Sequence, residues 1–201
     1  MHTAQELGLL TWLDALKVAT ALLTPLLAVW ARQLVENHRE RHTLEKLVGR
    51  TIGDEPEFFD VAFEHLDKVV NSVKAGTVFV TAFDIPEATL AAAARLCQLD
   101  PKHAHIYASY RQYAQLASTH MERLQRLQED YFKRDGMPPA RLVQAIELEA
   151  TSVKRCLEAV QQQDMRIMAL LQQRGHARPD PRLTAQLMKA HKRRGHSADE
   201  A

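Results

Sequence analysis

Two stretches decide the fold of this chain: residues 103–133 read HAHIYASYRQYAQLASTHMERLQRLQEDYFK, and residues 140–173 read ARLVQAIELEATSVKRCLEAVQQQDMRIMALLQQ. In both, apolar side chains recur at alternating steps of three and four residues, the spacing that forms one apolar stripe along an α-helix. The first stripe comprises Ile106, Tyr110, Tyr113, Ala117, Leu124, Leu127 and Tyr131, with His120 in register. The second comprises Val143, Ile146, Ala150, Val153, Leu157, Val160, Ile167 and Leu171. The pattern therefore predicts two long helices that pack along their stripes.

The link between these two helices predicts how they are arranged. Residues 134–139, RDGMPP, contain one glycine and two prolines, which end one helix and begin the next. A link this short joins antiparallel neighbours, so we expect a coiled-coil-like αα-hairpin of residues 102–134 and 139–174.

Asp164 falls within the second apolar stripe. Aligning the two stripes outward from the link places Tyr110 opposite this carboxyl group. A buried carboxylate needs a hydrogen-bond donor, and a phenol can provide one. The sequence therefore predicts a buried polar contact between Tyr110 and Asp164; the alternative is that Asp164 points to solvent.

The composition is typical of one folded, helix-rich domain. Of 201 residues, 46% are hydrophobic and 25% are charged, and only 7 are glycine. Few glycines mean few tight turns, so long elements are expected and the fold class is all-α. The formal net charge of +1 gives no overall electrostatic preference for a partner.

Shorter helices are predicted ahead of the hairpin. Residues 57–75 carry an apolar stripe with helical spacing, and residues 87–99 are rich in alanine and leucine. Residues 77–83, TVFVTAF, have strand propensity but no partner strand. They are expected to form an extended linker, a strand paired in an oligomer, or a helix imposed by packing. We expect residues 54–175 to form a helical bundle, elongated because each hairpin helix spans about 48 Å.

Residues 9–31, LLTWLDALKVATALLTPLLAVWA, form a nearly continuous apolar stretch. The stretch has no polar face, and Trp12 and Trp30 lie near its ends as interfacial aromatics do. Its uncharged part covers about 14 residues, or about 21 Å of helix, which is short of the roughly 30 Å of a bilayer core. A longer span would include Asp14 and Lys17, which could pair with each other. The stretch predicts a transmembrane helix with this polar pair inside it.

The residues that follow the apolar stretch predict its orientation. Basic side chains occur there at Arg32, Arg39, Arg41, Lys46 and Arg50. The positive-inside rule then predicts a single-pass protein of the inner (cytoplasmic) membrane, with its N-terminus outside and its bundle in the cytoplasm.

We expect the N-terminal anchor and its basic extension to occupy residues 1–50. The helix should end near Val48, with a loop over residues 49–56 that contains two glycines and a proline. Two alternatives remain for the apolar helix: it is buried in a soluble cytoplasmic bundle, or it lies on the membrane surface. In a membrane, Asp14 and Lys17 would either line a pore or lie at the outer interface.

Residues 176–201 form a basic tail that we expect to be mobile. Its candidate contacts to anionic lipid, or to the phosphates of a nucleotide or nucleic acid, are Lys189, Lys192, Arg193 and Arg194. The alternative is a solvated tail without a partner.

The sequence has no catalytic or cofactor motif. It lacks the phosphate-binding and dinucleotide-binding glycine loops, the H-E-x-x-H metal motif and the G-x-S-x-G elbow. His38, His42 and Glu45 have the spacing of metal ligands, but their basic surroundings disfavour a cation. We therefore expect no enzymatic activity, no metal and no cofactor.

These features together predict a membrane-anchored scaffold or adaptor that acts through homo-oligomerisation and partner binding. Two alternatives remain. One is a membrane-disrupting or pore-forming effector whose cytoplasmic bundle senses a ligand or partner. The other is a soluble helical binding module that holds its first helix in its core.

Overall fold

The computed structural model describes residues 3–54, 57–134 and 138–176, and over these ranges the chain is helical, with no strand. The helices are α1 (Thr3–Asp54), α2 (Phe58–Lys74), α3 (Glu87–Leu99), α4 (Ala104–Phe132) and α5 (Ala140–Gln173). The all-α class and the helical bundle are therefore confirmed.

The chain divides into two compact units, Met1–Arg41 and His42–Ala201. In its described part, the first unit is the N-terminal portion of α1. The second unit holds the last turns of α1 together with α2, α3, α4 and α5. The bundle thus begins within α1.

Helices α4 and α5 make the most extensive helix–helix contact. Side chains that meet across them come from early positions in one helix and late positions in the other. His120 Nδ1 lies 2.6 Å from Glu149 Oε2, and Tyr110 lines the same pocket as Asp164. The two helices are therefore antiparallel, as the short link predicts.

The buried face of α4 is rotated relative to the predicted stripe. Tyr110, Ala117 and Leu124 are buried as predicted. The other buried positions each lie one residue beyond the predicted ones: Tyr107, Ala114, Met121 and Gln128. Because α4 packs against α3 as well as α5, its buried face extends to the side that α3 covers.

Helix α5 ends at a glycine with a left-handed backbone. Gly175 has a φ of 70°, and its N–H donates to the carbonyl of Gln172 at 3.0 Å. The N–H of His176 donates to the carbonyl of Leu171 at 2.9 Å, which completes a Schellman motif. This end places Arg174 against the bundle, where it forms the ion pairs described below.

Residues 77–86 form the extended linker that was one of three expectations for TVFVTAF. The N–H of Phe79 donates to Ser72 Oγ at 3.0 Å, and its carbonyl accepts from Gln128 Nε2 at 2.9 Å. Thr81 and Ile85 are buried. Side chains of α2 and α4 thus supply the hydrogen bonds that a lone strand lacks.

The predicted loop over residues 49–56 is wrong for residues 49–54, because α1 continues to Asp54. Gly49 is buried inside this helix, and a Cβ atom there would lie 3.0 Å from Leu171 Cδ1. The glycine allows α1 to approach α5 closely; it does not end the helix.

No helix in the described ranges is long and apolar enough to cross a bilayer. The predicted single-pass span at residues 9–31 is therefore unsupported, and so are the orientation and the inner-membrane location derived from it. A span that covers all of residues 9–31 takes in Asp14 and Lys17, which lower its hydropathy.

Among the described side chains of α1, the buried ones belong to its last turns. Glu45 and Val48 are buried in the second unit, whereas Leu26 and Trp30 are 66% and 62% exposed. The alternative with the first helix in the core stays a prediction, because most side chains of residues 9–22 lie outside the described part.

Gly49→Ala is expected to change the free energy of unfolding differently in the native chain and in a Leu171→Ala background. In the native chain the added methyl group meets Leu171, which offsets the about 1 kcal/mol that alanine gains over glycine in a helix. In a Leu171→Ala background the obstructing group is gone, so Gly49→Ala should stabilise the fold by about that amount. Urea unfolding of the native chain, both single variants and the double variant measures this coupling. Additive effects would show that close packing is not the reason for glycine at this position.

Candidate functional site

A pocket opens in the second unit where the ends of several helices converge. It encloses about 410 Å³, counted out to its open mouth. Its apolar lining consists of Ile52, Phe58, Phe59, Ile85, Pro86 and Val160. Its polar lining consists of Thr51, Thr89, Tyr110 and Asp164. All five helices or their immediate flanks therefore contribute to one wall.

Local sequence explains how the pocket wall is built. The continuation of α1 to Asp54 carries Ile52 to the pocket, and Phe58 begins α2. Pro86 has a φ of −55° and precedes the first residue of α3, a position that suits proline because no helical N–H is required there. The rings of Phe58 and Phe59 meet edge to face, with their centroids 5.2 Å apart. The aromatic side of the wall is therefore held by ring–ring packing.

Asp164 supplies the carboxyl group of the pocket from the middle of the α5 stripe. The residue is only 8% exposed, and its Oδ1 atom has no hydrogen-bond partner in the part of the chain that the structure describes. Burial raises the pKa of Asp164 well above its ordinary value, because the charged form loses its hydration. The site thus holds an unsatisfied acceptor in apolar surroundings, which is costly in a folded protein.

Thr89 and Tyr110 add two more polar groups to the same wall. Thr89 is 1% exposed, and its Oγ1 atom also lacks a hydrogen-bond partner. Burial, and secondarily the charge of Asp164, raise the pKa of Tyr110, so its phenol stays protonated. Asp164, Thr89 and Tyr110 therefore bring three oxygen-bearing side chains to one wall of the pocket.

The structure brings Tyr110 and Asp164 to the same pocket, and charge on Asp164 acts on the phenol. No hydrogen bond joins the two side chains in the part of the chain that the structure describes. The direct contact predicted from the sequence therefore stays a prediction.

A second group of buried charges lies at the end of α5 and is internally paired. Arg174 Nη1 donates to Glu45, and Arg174 Nη2 lies 2.7 Å from Asp100 Oδ2. His103 Nδ1 lies 3.1 Å from Asp100, and His176 Nε2 lies 3.3 Å from Glu45. This ionic tie joins the end of α1, the turn between α3 and α4, and the end of α5. Its carboxylates are occupied, so it is a structural element.

The metal site considered at His38, His42 and Glu45 is not formed. Glu45 pairs with Arg174, and the ring of His42 packs edge to face on the ring of His176. No group of metal-ligand side chains occurs among the described residues.

Other predicted site residues are not brought together. Lys17 is exposed on α1, and the side chain of Asp14 lies outside the described part. The four basic residues of the tail, Lys189, Lys192, Arg193 and Arg194, lie outside the described residues as well. The polar pair and the phosphate contacts stay predictions.

Comparisons with protein-family models, with curated proteins and with solved structures returned no match to this chain. Its function must therefore be argued from the chemistry of the pocket.

Asp164→Asn is expected to stabilise the chain at neutral pH and to change its stability little in acid. Burial raises the pKa of Asp164 in the folded chain well above the ordinary value of 3.8, which applies to the unfolded chain. At a pH between the unfolded and the folded pKa, the folded chain therefore keeps a proton that the unfolded chain has lost. Stability should fall as the pH rises through that window, and asparagine, which cannot ionise, removes this fall. Urea unfolding from about pH 4 to about pH 8 measures the difference.

Asp60→Asn is the matched control, because Asp60 is exposed on α2. Its pH profile should follow that of the native chain. A profile for Asp164→Asn that also runs parallel to the native one would contradict the buried carboxyl.

Proposed function

We propose that this chain is a non-catalytic helical binding module that takes a small molecule into the pocket at the helix ends of its bundle. The observation that carries this proposal is the unpartnered Oδ1 atom of Asp164, which is buried in the pocket wall. Buried polar groups in folded proteins nearly always have partners. A partner that arrives with a ligand accounts for the exception.

The contrast with Glu45 and Asp100 supports this proposal. These two carboxyl groups are 1% and 2% exposed, and both pair with Arg174. The fold therefore neutralises these buried acids where they serve structure, whereas no described cation pairs with Asp164. Thr89 repeats the pattern with a second unpartnered oxygen in the same wall.

The lining of the pocket also favours a small ligand. Most of its lining side chains are apolar, with a few polar groups that would orient a ligand. Because all five helices or their flanks contribute to the pocket lining, a bound ligand would contact both the end of α1 and the hairpin helices α4 and α5. Such a link between helices suits an adaptor.

Fragment binding tests the proposal. Benzyl alcohol, benzylamine and benzoate are titrated into the labelled protein, and amide shifts are followed by NMR. At least one fragment should give saturable shifts centred on the pocket. Thr51→Phe, which places a ring in the pocket wall, should remove them.

Leu47→Phe is the matched control, because Leu47 is 42% exposed and lies one turn earlier on α1, outside the pocket lining. It should leave the shifts unchanged. The binding function is refuted when all three fragments give only linear, dispersed shifts in the native chain.

A second function, self-assembly, is favoured by the apolar stretch of α1. Leu23, Leu27, Trp30 and Leu34 follow steps of four, three and four residues, and all are strongly exposed. Monomeric proteins rarely expose apolar patches of this extent, and the spacing is that of a helix–helix seam. We propose a second copy of this chain as the occupant, which gives the scaffold role predicted from the sequence.

Leu27→Glu combined with Trp30→Glu should convert the native oligomer to a monomer, because charges would be buried in the seam. Sedimentation of the native and variant chains measures this, with Gln33→Glu on the same helix as an exposed control. A native chain that is monomeric at every concentration would contradict self-assembly. Flotation of the native chain with lipid vesicles would instead favour the membrane anchor that was predicted for residues 9–31.

A further inference from the structure

We propose that the pocket is a site for a small apolar amine whose ammonium group pairs with Asp164. This inference rests on the proposed binding function and names the chemical class of its ligand. It follows from which charges line the pocket, which acceptors lack partners, and what surrounds them.

The charges in the pocket wall select against anions. Asp164 on α5 and Tyr110 on α4 are the titratable side chains among the described lining residues, which include no lysine, arginine or histidine. The side chains contributed by α1, α2 and α3 carry no charge. An anionic ligand would meet a carboxyl group with no compensating cation, whereas a cation would meet its natural partner.

The unpartnered atoms match the donors of an ammonium group. Among the described residues, the Oδ1 atom of Asp164 and the Oγ1 atom of Thr89 both lack donors, and Tyr110 lines the same pocket. A primary ammonium has three donors and no acceptor, so three oxygen acceptors can satisfy it completely. An alcohol has one donor and would leave at least one of these buried oxygens unpaired. Hydrogen bonds between an ionised donor and an ionised acceptor are also the stronger kind.

The apolar part of the wall suits a compact hydrophobic body. The rings of Phe58 and Phe59 line one side, and Ile52 and Val160 belong to the same lining. Aromatic rings also attract cations through their π faces. A metal ion fits this lining less well, because hard cations take six or more oxygen ligands and most of this wall is hydrocarbon.

Binding of an ammonium group must couple to the ionisation of Asp164. Burial favours the protonated carboxyl in the empty pocket, and an adjacent cation favours the carboxylate. The other titratable group in the wall, Tyr110, keeps its proton throughout. Amine binding should therefore release a proton from Asp164 and strengthen as the pH rises toward neutrality.

Calorimetric titration with benzylamine and with benzyl alcohol, which has the same shape, tests the ligand class. At neutral pH benzylamine should bind the native chain at least about tenfold more tightly than benzyl alcohol. Asp164→Asn should abolish this preference while leaving the affinity for benzyl alcohol within a few fold. Repeating the titration in buffers of different ionisation enthalpy should show release of a proton on amine binding, and none in Asp164→Asn.

Thr89→Val is a second variant, which keeps the shape of the side chain and removes only the hydroxyl group. It should weaken benzylamine more than benzyl alcohol. Asp60→Asn, exposed on α2, is the control and should change neither affinity.

The possible outcomes separate the two proposals. Saturable binding of benzyl alcohol with equal or weaker binding of benzylamine would overturn the amine assignment and leave the binding function standing. A preference for benzylamine that persists in Asp164→Asn would also overturn it, because the ammonium would then lie elsewhere. Failure of benzylamine, benzyl alcohol and benzoate alike to saturate the native chain would remove the binding function itself.

Discussion

The second unit depends on one interaction, the packing of α4 against α5 along their facing apolar stripes. Leu124, Val153 and Leu157 are fully buried there, and each such side chain stabilises the fold by about 1.5–3 kcal/mol. The remaining contacts are built onto this seam, since α2 packs on α5 and α3 packs on α4. The position of every polar group in the bundle is therefore set relative to these two helices.

The seam also accounts for the contrast between the two sets of buried acids. At the end of α5, Arg174 reaches Glu45 and Asp100, so their charges are compensated. Asp164 lies inside the seam's apolar stripe, where no cation of the described residues pairs with it. The free-energy cost of burying its carboxyl group must therefore be offset by the packing around it. Proteins keep such local costs mainly at functional positions, which is why the pocket and not the ionic tie is the candidate site.

Part of the site is readable from the sequence. Asp164 interrupts an apolar stripe, and the hairpin alignment indicates Tyr110 as its neighbour across the seam, so both residues are identified by periodicity. Thr89 and Phe58 carry no such signal, because they reach the pocket from the start of α3 and the start of α2. Glu45 offers a weak signal, since it shares a helical face with Val48 and Ile52, yet its partner Arg174 is far away in the chain.

The sequence by itself determined the all-α class, the two long hairpin helices and the place of Asp164 within an apolar stripe, because helical periodicity and the turn chemistry of proline and glycine act over a few residues. Tertiary structure decided the rotation of the α4 stripe, the extended path of residues 77–86 and the helical state of Gly49. These features depend on which surface lies opposite: α3 beside α4, Gln128 beside Phe79, and Leu171 beside Gly49. Local pattern cannot specify a neighbour that is distant in the chain, and the pocket wall is made of such neighbours.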